Sequence, residues 1–209
     1  MPATPVHGLS GVEIGRAPGE LGRLQAFVNT LDIEQGTDAL ATPAALDTWF
    51  RREGLAEGEA PDCARSADLA LAVALREALR SVLRSHVTHR SARAVAAAPP
   101  GDRNADPGER LAEIAAGLHA RLTSDASGAV LVLPGESGSR AALTRLLLIA
   151  AEAATLGTWD RLKVCSADDC QWAFYDRSPT RSGCWCSMQV CGSRAKSRAY
   201  RSRRATAVS

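Results

Sequence analysis

Leu21, Leu24 and Val28 recur at intervals of three and four between Gly15 and Leu31, the spacing of one helical face. They predict a first helix that runs into Phe27-Val-Asn-Thr-Leu-Asp32. Gly36 to Thr42 reads as a loop. Thr42-Pro43 then has the form of an N-cap followed by proline at the first helical position, leading through Leu46, Trp49 and Phe50 to a stop at Gly54. From Ser66 to about Arg93, Leu69, Val73, Leu79, Leu83 and Val87 form an apolar stripe that predicts the longest helix. A polar loop opens at Pro99-Pro100-Gly101 and runs to Pro107, before a further helix expected to carry Leu111, Ile114, Leu118 and Leu122. Ala129-Val-Leu-Val-Leu133, between Gly128 and Pro134, is the best strand candidate. Ser139 to Gly157 returns to helix, with Gly157 at its C-cap. No repeat of 20 to 50 residues is visible, which argues against a solenoid.

The 209 residues, 45 % hydrophobic and 23 % charged, suit a soluble globular chain of one domain with a small appendage. No apolar run approaches the ~20 residues of a membrane helix, and the opening residues show no basic segment followed by an apolar one. These features predict a cytoplasmic protein that does not contact a membrane. The net charge of +2 conceals a division of the chain. Residues 161–209 hold ten Lys or Arg against three acids, +7, so residues 1–160 hold 15 basic and 20 acidic side chains, a net charge of −5. Five of the six cysteines (Cys165, Cys170, Cys184, Cys186, Cys191) also lie in this tail, and only Cys63 lies outside it. Clustered thiols on a basic tail point to a metal and an anionic partner.

The thiols form two pairs with four residues between partners, Cys165/Cys170 and Cys186/Cys191. Tetrahedral Zn²⁺ takes four such donors at about 2.3 Å, and two short-spaced pairs deliver them without a long loop to close. About 45 residues bury too little apolar surface to fold unaided, whereas structural zinc contributes on the order of 10 to 16 kcal/mol. Metal is thus expected to be the core of the tail. Cys184 competes with Cys186 for the third position; Cys186 is preferred because it repeats the first interval and can open a helix that presents Cys191 one turn on. A disulfide is disfavoured in a reducing compartment, while an iron–sulfur cluster uses the same donors and would colour the protein brown. After Cys191, Arg194, Arg198 and Arg201 share one helical face, with Lys196, Arg203 and Arg204 on the other side. A helix basic nearly all round suits phosphates, and roughly six contacts would weaken on the order of a thousandfold between 50 and 200 mM salt.

Trp185-Cys-Ser-Met-Gln-Val-Cys-Gly-Ser-Arg-Ala-Lys196, preceded by Cys165-x4-Cys170-Gln-Trp-Ala-Phe-Tyr-Asp176, resembles the CGNR zinc-finger family of bacterial transcription regulators. Phe27-Val-Asn-Thr-Leu-Asp32 and Thr42-Pro43 through Trp49 resemble the start of the ABATE domain that precedes this finger. The resemblance covers essentially the whole chain. It implies an α+β fold, a helix-rich N-terminal domain with a small sheet (1–160) followed by a treble-clef-like finger (161–209), and a role in stress-linked transcription control. By position it assigns Cys165, Cys170, Cys186 and Cys191 to Zn²⁺. Ser193 stands where the family has its name-giving asparagine, and Cys184 where a basic residue is expected.

These readings lead to a DNA-binding transcription regulator, with the body in signal sensing or dimerisation. Phosphate contacts are expected from Arg177, Arg181, Lys196, Arg203 and Arg204 and base contacts from Arg194 and Arg198, with Arg201 a further nucleic-acid-binding residue on the face of the latter two. The alternatives are a zinc-stapled module for an acidic protein partner, and RNA binding through Trp172, Phe174 or Tyr175. His7, His86, His89 and His119 lack ligand spacing, Gly135-Glu-Ser-Gly-Ser-Arg140 lacks the ending of a phosphate loop, and no nucleophile motif is present. No enzymatic activity is therefore expected. Asn29 and Asp32 are candidates for a small-molecule pocket, although capping explains the same residue types.

Overall fold

The computed structural model describes residues 14–56, 64–91 and 106–206. The expectations on His7, Cys63 and the Pro99-Pro100-Gly101 segment lie outside them, as does the side chain of His89. The body comprises α1 (Leu21–Val28), a short antiparallel ribbon of β1 (Leu31–Asp32) and β2 (Thr37–Asp38), α2 (Pro43–Arg52), α3 (Ser66–Ser91), α4 (Pro107–Ala116), a hairpin of β3 (Ala120–Ser124) and β4 (Val130–Pro134), and α5 (Gly138–Thr155). A single 3-10 turn, Trp159–Arg161, leads into β5 (Leu162–Val164), which pairs antiparallel with β6 (Ala173–Tyr175). A π-helical turn, Met188–Gly192, runs into α6 (Ser193–Thr206). The fold is α+β, a helix-rich body with small antiparallel ribbons followed by a treble-clef-like finger. Among the described residues no helix is long and apolar enough to cross a membrane.

Several local signals act as expected. The Thr42 hydroxyl accepts from the Ala45 amide at 3.1 Å with Pro43 at the first helical position, so α2 begins with two of its orphan donors dealt with. Others differ. The first helix does not begin near Gly15, because the stretch before it is extended along β6: the Tyr175 amide donates to the Gly15 carbonyl at 2.8 Å. A Cβ at Gly15 would lie 2.5 Å from the Tyr175 carbonyl oxygen, so a side chain is excluded there. The helix also stops at Val28, and Leu31–Asp32 turns into the first ribbon. Leu122 belongs to β3, opposite Val132, and not to the preceding helix, which ends at Ala116 before Gly117. A five-residue strand is too short for periodicity to separate from a last helical turn.

Leu24 and Phe27 of α1, Leu46 and Phe50 of α2, Leu75, Leu79 and Leu83 of α3, and Leu143 and Leu146 of α5 form one buried core. Leu162, Val164 and Ala173 of the β5–β6 hairpin belong to that same core. Polar clamps fix the join. Asn29, just past α1, treats β6 as a strand would: its Oδ1 accepts from the Ala173 amide at 2.7 Å and its Nδ2 donates to the Ala173 carbonyl at 2.9 Å. Gln25 Nε2 donates to the same carbonyl at 3.0 Å. Buried Arg80 of α3 donates to the Val28 carbonyl at 2.6 Å and to the Gln171 carbonyl at 2.9 Å. His86 joins α3 to the hairpin as well, through the Leu162 carbonyl at 2.9 Å and an edge-to-face contact with Trp159. Asn29 is thus engaged by backbone and is not a pocket residue, while Asp32 accepts from the Gln35 amide at 3.0 Å within the ribbon turn.

Asn29→Ala orphans the buried Ala173 amide while Gln25 stays on the Ala173 carbonyl, and an orphaned amide in such a setting costs about 1 to 3 kcal/mol. A loss of about 2 kcal/mol in urea unfolding of the zinc-loaded protein is the expected result; a change below about 0.5 kcal/mol would show that water replaces the clamp.

Candidate metal centre

The Cys165–Cys170 knuckle sits at the end of the β5–β6 hairpin. The Cys165 amide donates to the Trp172 carbonyl, and the amides of Cys170 and Gln171 both donate to the Ala167 carbonyl. Gln171 closes this turn in the left-handed region at φ 50°, which costs a non-glycine residue about 1 kcal/mol. Arg80 on its carbonyl, and its own side chain donating to the Asp168 carbonyl at 3.0 Å, hold it there. The second pair lies where the π-helical turn opens, with the Ser187 hydroxyl accepting from the Val190 amide. A Cβ at Gly192 would lie 2.9 Å from the Met188 sulfur and 3.4 Å from the Trp185 ring, so a side chain there would have to displace the exposed end of Met188. Ser193 donates its hydroxyl to the Met188 carbonyl at 3.3 Å, so it stabilises this turn from within the finger.

The sulfur atoms of Cys165, Cys170, Cys186 and Cys191 all lie within 4.8 Å of one another, and all four residues are buried. Cys186 is 3.6 Å from both Cys170 and Cys191. A tetrahedron of thiolates bonded to an ion at ~2.3 Å has edges of about 3.8 Å, whereas a disulfide needs about 2.05 Å, so the spacing fits a shared cation and not a covalent pair. Cys184 is half-buried and outside this group; its carbonyl accepts from the Ser166 amide at 2.9 Å. Trp172 and Phe174 pack against the four cysteines, both 4 % exposed, which removes these two rings from base stacking. Tyr175 is half-buried against the body core.

Without a cation four buried thiols frustrate one another. Hydrogen bonds from Cys170 and Cys186 pull the Cys165 thiol down to about 2, making it the thiolate of the group. The hydrogen bond to that thiolate pushes Cys170 up, hydrogen bonds to Cys165 and Cys170 push Cys186 up, and burial followed by the charge on Cys165 pushes Cys191 up. A Zn²⁺ ion supplies the positive charge that lets all four ionise together. The donor set, its spacing and its burial make this a zinc-binding site.

A second buried device shapes the loop between the two pairs. The Lys163 ammonium, 0 % exposed, reaches Asp176 Oδ2 at 2.7 Å and the carbonyls of Arg181 and Gly183 at 2.6 and 3.1 Å. Burial would raise the Asp176 carboxyl, but the hydrogen bonds from Lys163, Ser178 and the Gly183 amide outweigh it and hold the group at about 2. Arg181, a sequence candidate for phosphate, is in the left-handed region at φ 50° and grips Asp160 through both carboxylate oxygens at 2.8 and 2.9 Å.

The remaining basic candidates divide into two sets. Arg194 pairs with Glu34, in the ribbon turn of the body, at 2.8 Å, and Arg198 lies 3.6 Å from Asp169 of the knuckle. Asp168, beside it, pairs with Arg84 of α3. Arg177 donates to the Arg16 carbonyl at 3.0 Å. Lys196, Arg201, Arg203 and Arg204 are exposed, with the Arg204 guanidinium 5.8 Å from the centre of the Tyr200 ring. Sequence reasoning missed Glu34, Asp169 and Arg80 as residues that set the finger; no local pattern marks them, because their partners are 160, 29 and 91 residues away.

The class defined by this arrangement is a helical protein that ends in a four-cysteine zinc finger sharing its core. The sequence model of the CGNR zinc finger matches residues 161–204, and that of the ABATE family, described as "putative stress-induced transcription regulator", matches residues 23–158. The chain belongs to the ABATE family and carries a CGNR zinc finger. Both families are of regulatory and zinc-finger type, not enzymatic. No curated protein matches the chain.

One equivalent of zinc should bind per chain, and Cys165→Ser should reduce affinity by at least about 100-fold. Because three of the four thiols are raised, loading must expel protons, so zinc retention in a chelator competition should fall steeply as pH drops. A flat pH profile would exclude thiolate ligation. The Asp176 carboxyl is depressed below its ordinary 3.8, so its stabilisation is fully present above about 4 and disappears as pH falls toward 2. In a Lys163→Met variant that acid-dependent part of the unfolding curve should shrink, with only the share held by Ser178 and the Gly183 amide left.

Proposed function

We propose that this protein is a transcription regulator that binds double-stranded DNA through α6 and the zinc centre from which it starts. The observation that carries this reading is the charge of α6: six Lys or Arg and no acid in 14 residues, exposed at every position from Lys196 to Arg204. Zinc fixes the first turn of the helix, so the cations are presented on a rigid element and bind with less ordering cost than a loose basic tail would. Lys196, Arg201, Arg203 and Arg204 contact phosphates. Arg194 and Arg198 are tied to carboxylates, and reading guanine with them means exchanging Glu34 and Asp169 for base edges. The contribution of Arg181 is the shape of the Cys184-bearing loop.

Four phosphate contacts give a slope of about −3 to −4 for log affinity against log salt. Gel shifts or anisotropy with a random duplex pool should show that slope. Arg201→Ala should flatten it by about one unit while weakening all sequences alike, and chelator-stripped protein should enrich nothing. Absence of DNA binding at physiological salt with zinc in place would favour the acidic protein partner.

A further inference from the structure

The β3–β4 hairpin has no task in the fold just described. Every residue of β3 is exposed, and so are Val130 to Leu133 of β4; Leu122 and Val130 are each 73 % exposed and Val132 is 49 % exposed. Among the described residues each strand pairs only with the other. Isolated two-stranded ribbons are marginal in water, and proteins blunt open edges with charges, proline or bulges. Here the ten strand residues carry one charge, Arg121, and the only proline ends β4.

The register identifies which backbone groups look outward. Gly135 donates to the His119 carbonyl and Asp125 to the Ala129 carbonyl, so the odd-numbered residues of β3 spend their amides and carbonyls on β4. The amides and carbonyls of Ala120, Leu122 and Ser124 point away from it. An antiparallel partner on that edge must pair through these three residues. Three two-fold registers place a second β3 there. One sets Arg121 against the second copy's Arg121, a like-charge clash. One, centred on Leu122, sets the two Leu122 side chains opposite each other but Arg121 against Thr123, which leaves the guanidinium without a carboxylate. In the third, centred on Thr123, Arg121 faces Asp125 of the second copy twice over. This is a non-hydrogen-bonded pairing, where opposite side chains approach closest. The Asp125 carboxylate stays ionised because its Oδ1 accepts from Ser127 and the Ala129 amide within its own turn, and its Oδ2 is the oxygen that would meet the guanidinium. Leu122 then lies diagonal to the second copy's Leu122, so the two most exposed leucines shield each other.

We propose that β3 is the homodimer edge of this protein, joining two hairpins into a four-stranded antiparallel sheet about a two-fold axis at Thr123. The surface carries no cation cluster for nucleic acid, and its charge pattern is complementary to itself. A hairpin edge offers less than the ~800 Å² per partner of a standard interface, so the dimer is weak and forms in the micromolar range. The inference goes beyond the DNA reading and does not need it.

Sedimentation velocity of the zinc-loaded full chain, from about 1 to several hundred µM, should show a monomer passing to a dimer. Ser124→Pro removes only an outward amide and leaves the ladder to β4 intact, so it should hold the protein monomeric across that range with zinc content and circular dichroism unchanged. Leu122→Lys, exposed in the monomer, should raise the dissociation constant at least about tenfold and decides the matter if the proline variant folds poorly. Thr123→Cys should give a disulfide linking residue 123 of two chains under mild oxidation, identified by mass. A wild-type protein that stays monomeric throughout, a dimer that survives both edge variants, or a dimer that yields no 123-to-123 link would overturn the proposal.

Discussion

Four sulfur atoms held within 4.8 Å of one another and buried beneath Trp172 and Phe174 are unfavourable until a divalent cation compensates them. Only Cys165 ionises readily; its charge and the loss of water oppose ionisation of the others. The finger has few alternatives for holding itself together, since its own apolar cluster consists of the four ligands, Ala167, Trp172 and Phe174, flanked by Ile14 and Trp185. Metal binding therefore supplies much of the free energy that orders the knuckle, the π-helical turn and the start of α6. The order of α6 in turn fixes where its cations are displayed.

That centre is not insulated from the body. The strands that carry the knuckle bury Leu162, Val164 and Ala173 among the body helices, and the clamps from Asn29, Gln25 and Arg80 all fall between Gln171 and Ala173, directly after the ligand Cys170. Side-chain amides and a guanidinium satisfy backbone groups that would otherwise be buried unpaired, so the join is specific in orientation as well as favourable in energy. Two further ion pairs, Arg84 with Asp168 and Arg194 with Glu34, tie the knuckle to α3 and α6 to the ribbon turn. A shift of the body helices would be felt at the zinc ligands within a few residues.

Much of this is legible in the sequence wherever the determinant is local. The Thr42-Pro43 cap, the long helix from Ser66 and the x4 spacing of both cysteine pairs each act over a few residues, and each has the expected physical effect. What the sequence hides depends on determinants that act at a distance. Asn29 has the chemistry of a capping residue, and only the packing of β6 reveals it as a surrogate strand. Arg76 and Arg80 lie on the buried side of α3, at positions a polarity pattern assigns to solvent, because Asp38, Glu77 and main-chain carbonyls satisfy them. Leu122 falls in with a helical pattern because a short exposed strand has neither period nor burial to identify it. The basic face of α6 looks uniform along the chain, yet carboxylates from two other segments divide it.

The participation of β5 and β6 in the body core has a practical side. A cut near residue 160 would leave Leu162 and Val164 facing water on one fragment and an open furrow lined by α1 and α3 on the other. Unlike fingers strung on linkers, this one is not a cassette to be transplanted. A chimera that inherits the cysteines without the helix bearing Gln25 and Asn29 would inherit a metal site lacking the wall against which it is built.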